Sequence, residues 1–241
     1  MLSKNQSKLI TSLKQKKYRM QYQLFIAEGI KVINEFLSSN YKLEKLFCTD
    51  DGYALFKTFD PQIISEKELY KISGLSTPNT VLGLFKIPVT PKINGEGLVL
   101  ALDGINDPGN LGTIIRLSDW FGVSLVVCSN NTVDCYNSKV VQSSMGSLAR
   151  TPVFYMDLEE FLRGTQLPIY GAVMDGDSVY SNSLKQNAVL VMGNESNGIS
   201  RRILPLIQAK ITIPRFSKAT VTESLNVATA TAILLNEFRR N

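Results

Sequence analysis

The feature that most constrains this chain is a series of short, almost uninterrupted apolar runs in its second half: GLVLAL, VSLVVC, TPVFYM, PIYGAV, AVLVMG and KITIP. A strand with one wet face alternates apolar and polar residues, whereas runs apolar on both sides predict strands buried on both faces. Helical patterns separate the runs, through Ile114 to Phe121, near Val140, from Asp157, after Ser200 and from about Ser224 to Arg240. Near-continuous apolar strands separated by helices predict a parallel sheet covered on both sides. Ligands bind such sheets beyond the carboxyl ends of the strands, so a site is expected in the loops after Leu102, Met192 and Ile213.

A smaller α/β pattern precedes this one. Between Leu24 and about Pro88 the runs LFIAEG, LEKLFCT, QIIS and VLGLFKI alternate with the helical IKVINEFL and with a helix opening at Ser65 and Glu68 as a capping box. The segment PVTPKINGEG carries two prolines and two glycines and reads as a linker. The expected division is a basic N-terminal segment and small domain at 1–90, a linker at 91–97 and the larger domain at 98–241. Net charge is +5, and Lys4, Lys8, Lys14, Lys16, Lys17 and Arg19 all precede the first acidic residue, Glu28. Such a cluster suits a polyanionic partner; a solvated, fraying basic terminus is the plainer alternative.

Several chemistries are excluded. With no histidine in 241 residues there is no Ser-His-Asp or Cys-His arrangement, and Cys48, Cys128 and Cys135 have no metal-ligand spacing, so they read as reduced structural thiols. No GxGxxG opens the first helix of the larger domain, which removes a dinucleotide-binding enzyme. There is no apolar run of membrane-spanning length and no apolar core near the N-terminus, so a cytoplasmic protein is expected.

Three loops carry the candidate residues. In the first, LDGINDPGNLGTIIRLSDWFG, Asp107-Pro108-Gly109-Asn110 is a turn signal, Gly112 permits a close backbone approach before the helix begins, and Arg116 falls one turn inside that helix. In the second, VLVMGNESNGIS, small and polar residues follow a buried strand. Glu195 is its one acid, either a site residue or a helix-start carboxylate facing Ser200 or Arg201. In the third, Pro214 ends a strand and Ser224-Leu225-Asn226 opens an apolar helix, with Ser224 a site residue or an N-cap.

Together the loops resemble the signatures of the SpoU, or TrmH-type, branch of the SPOUT RNA methyltransferases. The resemblance runs through NxGxxxR at Asn110, Gly112 and Arg116, then GNExxG at Gly193, Asn194, Glu195 and Gly198. It continues in IP…SLNVA at Ile213, Pro214 and Ser224 to Ala228. Three motifs in one order are specific where each alone is weak. FIAEGIKVINEF, residues 25–36, is similar to the start of a substrate-binding domain that resembles a ribosomal-protein RNA-binding fold.

The resemblance implies a trefoil knot in the C-terminal domain, S-adenosylmethionine as methyl donor, a ribose 2′-hydroxyl of structured RNA as acceptor, and a homodimer with composite active sites. It places Gly193, Ile213 and Leu225 at the cofactor. Arg116 falls at the RNA phosphate and the attacking hydroxyl, with Asn110, Glu195, Ser224 and Asn226 holding it and the substrate. A guanidinium keeps its charge in proteins, so stabilising a developing alkoxide or gripping a phosphate is a cheaper role for Arg116 than abstracting a proton. The separate basic domain favours ribosomal RNA over transfer RNA. One departure stands out: Arg215 to Glu223 puts nine residues, with an added Lys218 and no glycine, where the family has about six. That length leaves room for an alternative, a catalytically silent knotted RNA-binding or ribosome-assembly protein.

Overall fold

In a computed structural model, which describes residues 1–88, 96–181, 183–217 and 224–240, the apolar runs become strands of two separate sheets. Most of the expected linker, and Lys218 to Glu223 of the lengthened loop, lie outside the described residues. The chain forms two units, residues 1–90 with 134–150, and residues 91–133 with 151–241.

The first unit begins with two helices, α1 (Lys4–Ser12) and α2 (Lys16–Tyr22). β1 (Leu24–Glu28), α3 (Ile30–Leu37), β2 (Leu43–Cys48) and α4 (Asp50–Phe56) follow, then β3 (Gln62–Ile63), α5 (Glu66–Ile72) and β4 (Val81–Lys86). The sheet runs β1-β4-β2-β3; β4 is antiparallel to both neighbours and β2–β3 is parallel. Strand alternation sorts its two faces. Leu24 and Ile26 of β1 join Leu82 and Leu84 of β4 in a core with Ile10, Leu13, Leu69 and Ile72. Phe25 points the other way and stacks on its register partner Phe85 at 5.9 Å, with Phe36 and Tyr136 against the same ring.

The N-terminus is therefore not a fraying basic tail. Ser3 and Gln6 close a capping box on α1, and Ile10 and Leu13 are fully buried. Burying each is worth roughly 1.5–3 kcal/mol, more than end fraying recovers. Ser65 and Glu68 form the expected capping box on α5. Arg19 departs from its expected surface role. It is buried, donating through Nε and Nη2 to Asp134 Oδ2 at 2.9 and 2.6 Å and through Nη1 to the carbonyls of Leu13 and Lys14. Lys14 is also engaged, its Nζ donating to Ser73 O at 2.9 Å. A helix from later in the chain, α7 (Ser138–Ser143), also belongs to this unit and packs on β1.

The second unit is built on β5 (Leu98–Asp103), β6 (Leu125–Ser129), β7 (Val153–Met156), β8 (Ile169–Ser178), β9 (Ala188–Gly193) and β10 (Ala209–Thr212). Every pairing in the order β10-β8-β9-β5-β6-β7 is parallel, as the double-sided apolar runs require. Val99, Ala101, Val189 and Val191 face a core shared with Leu158 and Leu162 of α8 (Leu158–Gly164), which Asp157 caps. Leu98, Leu100 and Leu102, equally buried, take the opposite face by alternation. α6 (Pro108–Trp120) and α9 (Val227–Arg240) pack on each other, and α9 packs on β9. The expected helix after Ser200 is a short 3-10 turn, Leu204–Leu206. Among the described residues no helix is long and apolar enough to cross a membrane. All three cysteines are buried and none is in a disulfide; burial pushes the Cys48 and Cys128 thiols above their ordinary range.

Candidate active site

From β5 the chain proceeds one way to β6 and β7, while β9, β8 and β10 lie on its other side, so strand order reverses beside β5. Loops diverge at such a point and leave a crevice. Asp103 and Gly193, the last residues of β5 and β9, are register partners, so two of the three candidate loops start side by side.

The first loop runs straight into α6. Asp107 is its N-cap, accepting from Asn110 N at 2.7 Å, and Pro108 occupies the first turn. The expected turn is therefore a helix start, and Gly112 is buried inside α6 instead of preceding it. This places Asn110 in the first turn, facing the second loop. Asn110 Nδ2 donates to Glu195 Oε1 at 3.0 Å, and Asn226 Nδ2 donates to Asn110 Oδ1 at 2.9 Å. Asn226 Oδ1 accepts from the N–H groups of Ala228 and Thr229 at 3.0 and 3.2 Å.

Chemistry fixes the direction of this relay. An ionised carboxylate only accepts, so Asn110 must turn its NH2 to Glu195 and its oxygen to Asn226; helix N–H groups only donate, so Asn226 must turn its oxygen to α9. Both ends dictate the same polarity. Glu195 also accepts from Asn106 N at 3.4 Å and Asp107 N at 3.3 Å, which sets its charge against the N-terminal end of α6. It does not face Ser200, whose N–H donates to Asp103 Oδ2 at 2.7 Å.

Asn194 holds the second loop in shape. Its Nδ2 donates to Gly104 O at 2.7 Å, and its Oδ1 accepts from Ser196 N and Asn197 N, each at 3.0 Å. The loop folds back so tightly that a Cβ on Gly193 would sit 2.2 Å from the backbone of Gly198. Gly193 thus serves the loop's own closure, and its part toward a ligand falls to its backbone.

The structure brings Asn110, Glu195 and Asn226 into one hydrogen-bonded set and leaves Arg116 and Ser224 outside it. Arg116, six residues along α6, is exposed and has no hydrogen-bond or ion-pair partner among the described residues. Ser224 is exposed and is not the helix cap: α9 starts at Val227, behind Asn226. Ile213 is half-buried just after β10, and Leu225 is 49% exposed. Asp103, Asp107 and Asn194 were not singled out as site residues from sequence, although Asp-Pro before an apolar helical pattern is an N-cap signal at Asp107. With protons left on two amides and lone pairs on Glu195, the set offers both donors and acceptors to a hydroxyl-bearing ligand.

A sequence profile of the SpoU rRNA Methylase family matches residues 97–236, and one of an MRM3-like substrate binding domain matches residues 4–83. The fold is similar to the structure of an RNA methyltransferase assigned to the TrmH family from Porphyromonas gingivalis, 39% identical, with TM-score 0.89 over 100% of this chain and 99% of that one. It is similar also to an AdoMet-bound rRNA methyltransferase from Sinorhizobium meliloti, 30% identical, with TM-score 0.87 over 100% and 97%. The 23S rRNA (guanosine(2553)-2'-O)-methyltransferase RlmP of Bacillus subtilis is 29% identical over 93% of this chain and 92% of its own length. With the first two of its three motifs on the adjoining ends of β5 and β9 and more than half its length matched, the chain belongs to the SpoU rRNA methylase family.

Proposed function

We propose that this chain transfers the methyl group of S-adenosylmethionine to a ribose 2′-hydroxyl of ribosomal RNA, as a cytoplasmic homodimer. The observation that carries the proposal is the Asn226–Asn110–Glu195 relay beyond the carboxyl ends of β5 and β9. Ribosomal RNA as substrate rests on the Bacillus subtilis and Sinorhizobium meliloti relatives. In this reading residues 1–90 bind RNA and residues 98–241 carry the chemistry, with the trefoil knot that the resemblance implies.

The residues at the strand ends fit the cofactor. The loop after β9 offers backbone groups, and half-buried Ile213 with half-exposed Leu225 offers apolar surface for a flat purine. When bound, S-adenosylmethionine supplies a methyl carbon already activated by its positive sulfur. The chain's own residues align the hydroxyl with that carbon and stabilise charge on the oxygen. Arg116 takes the second task, gripping the neighbouring phosphate and the developing alkoxide, while the relay fixes the start of α6, the helix on which Arg116 stands. An arginine exposed on its own chain suits a site completed by a partner subunit.

Labelled methyl transfer to total RNA from cells lacking the protein, followed by nucleoside analysis, tests the reading. A 2′-O-methylated nucleoside in ribosomal RNA is the expected result. No transfer despite measurable cofactor binding would favour a protein that binds RNA without modifying it.

A further inference from the structure

A groove of about 850 Å³ opens in the first unit between α1, α2 and α5. Lys4 and Lys8 from α1, Tyr18 and Tyr22 from α2, and Glu68 and Lys71 from α5 line it. Burial removes Arg19 from the surface and Lys14 Nζ is engaged by Ser73 O, while Lys4 and Lys8 remain exposed along the groove. Glu68, the one acid among the residues lining the groove, already accepts from Leu2 N at 2.7 Å and Ser65 N at 2.9 Å, so its oxygens are engaged within the protein.

The aromatic pair sets this surface apart from an ordinary solvated basic face. Tyr18 and Tyr22, one helical turn apart, lie 18° from parallel with centroids 6.4 Å apart, and Lys17 Nζ stands 5.8 Å from the centre of the Tyr18 ring. Tyr22 is 45% exposed. Exposed Tyr22, lying against half-buried Tyr18, and the neighbouring lysines are the two parts of a single-strand site: the ring takes a base face, and lysines follow the phosphates.

We propose that this groove binds a short unpaired stretch of the RNA substrate, with an unpaired base stacked on Tyr22 and phosphates on Lys4 and Lys8. The inference rests on the RNA-modifying reading and deepens it, by giving the N-terminal helices a nucleotide-binding task distinct from the relay in the second unit. A duplex would meet the lysines but could offer no free base to the rings.

The test uses the full chain and a fluorescent oligouridine, with anisotropy titrations over a range of salt. Lys4→Gln with Lys8→Gln lowers the slope of log affinity against log salt by roughly 1.4, two phosphates at about 0.7 each for a single strand. Tyr22→Leu and Tyr18→Leu each weaken oligouridine by about tenfold, the effect of losing one base stack. Thermal midpoints verify that each variant is folded. Independently of any substitution, a 5-iodouridine oligonucleotide photocrosslinks to the peptide carrying Tyr18 and Tyr22.

Folded variants that bind oligouridine as the unaltered chain does, with crosslinks elsewhere, overturn the groove and leave the methyltransferase reading intact. So does an unaltered chain that methylates ribosomal RNA yet ignores oligouridine. Preference for phosphatidylglycerol vesicles over RNA would reassign the patch to a membrane surface. A chain that neither transfers methyl nor binds RNA of any kind removes both proposals.

Discussion

Glu195 receives hydrogen bonds on both oxygens, so its replacements should rank by how many acceptors survive. Glu195→Gln keeps Oε1 for Asn110 and Asp107 but turns an NH2 toward the donors now on Oε2, Asn106 N and Asn194 Nδ2. Glu195→Ala leaves the Asn110 amide without its partner. We expect alanine to cost about 1 kcal/mol in urea unfolding and glutamine less, with methyl transfer falling in the same order; equal effects would show that the relay does not depend on the carboxylate. Arg116→Ala is expected to abolish transfer while S-adenosylmethionine binding, measured by calorimetry, persists. Retained turnover would take Arg116 out of the site. Arg19 is the opposite case, an arginine whose work is structural: Arg19→Ala strands Asp134 in a buried setting and should destabilise by about 3–5 kcal/mol in chemical denaturation. The family resemblance marked Asn110, Glu195 and Asn226 as candidates because its motifs are local. It counted Arg19 as surface charge because its partner lies 115 residues away, beyond any periodicity.

At the scale of elements, the candidate loops depend on how helices start. Asp107→Ala removes the N-cap of α6 and should lower stability by about 1 kcal/mol. Because the same turn carries Asn110, transfer should fall by more than the stability loss explains at temperatures where the variant is fully folded. A fold-matched loss in both would mean that the cap only stabilises. In the first unit, hydrogen bonds from the Leu2 and Ser65 N–H groups hold the Glu68 carboxyl down at about 2, against an ordinary 4.5. A depressed folded value makes the contribution complete above about 4.5 and lost as pH falls toward about 2. The docking of Leu2 on α5 should therefore loosen across that window, seen as faster amide exchange at Leu2, and Glu68→Gln should flatten the pH dependence. Most elements were legible from patterns two and 3.6 residues long, and the Ser65–Glu68 capping box and the helix opening at Asp157 from side-chain chemistry. The beginnings of α6 and α9 were not placed, since Asp-Pro-Gly-Asn serves a turn or a helix start equally well until tertiary contacts decide. The basic N-terminus was harder still: the apolar positions Ile10 and Leu13 are sparse, and only the sheet they cover makes them a core.

At the scale of the whole molecule, the parallel character of the larger sheet was legible but its order was not, because apolar runs report burial on two faces and say nothing of which neighbours supply it. The order matters, since the reversal beside β5 is what brings Asp103 and Gly193 together. The proposed homodimer rests on a different kind of residue. Trp120, the chain's one tryptophan, is 84% exposed at the end of α6, one turn beyond Arg116 on the same helix face. A large aromatic ring left in water is a common interface anchor, and its position beside the exposed arginine is what supports a homodimer with shared sites. If that is its role, Trp120 emission should be blue-shifted in concentrated protein and move to the red on dilution, in step with the fall in mass seen by light scattering. Trp120→Asp should give a monomer that still binds S-adenosylmethionine through its own loops yet transfers little methyl, because Arg116 then lacks the second subunit. Water-like emission at every concentration, with full transfer by a species of monomer mass, would leave Trp120 outside any interface and require each chain to complete its own site.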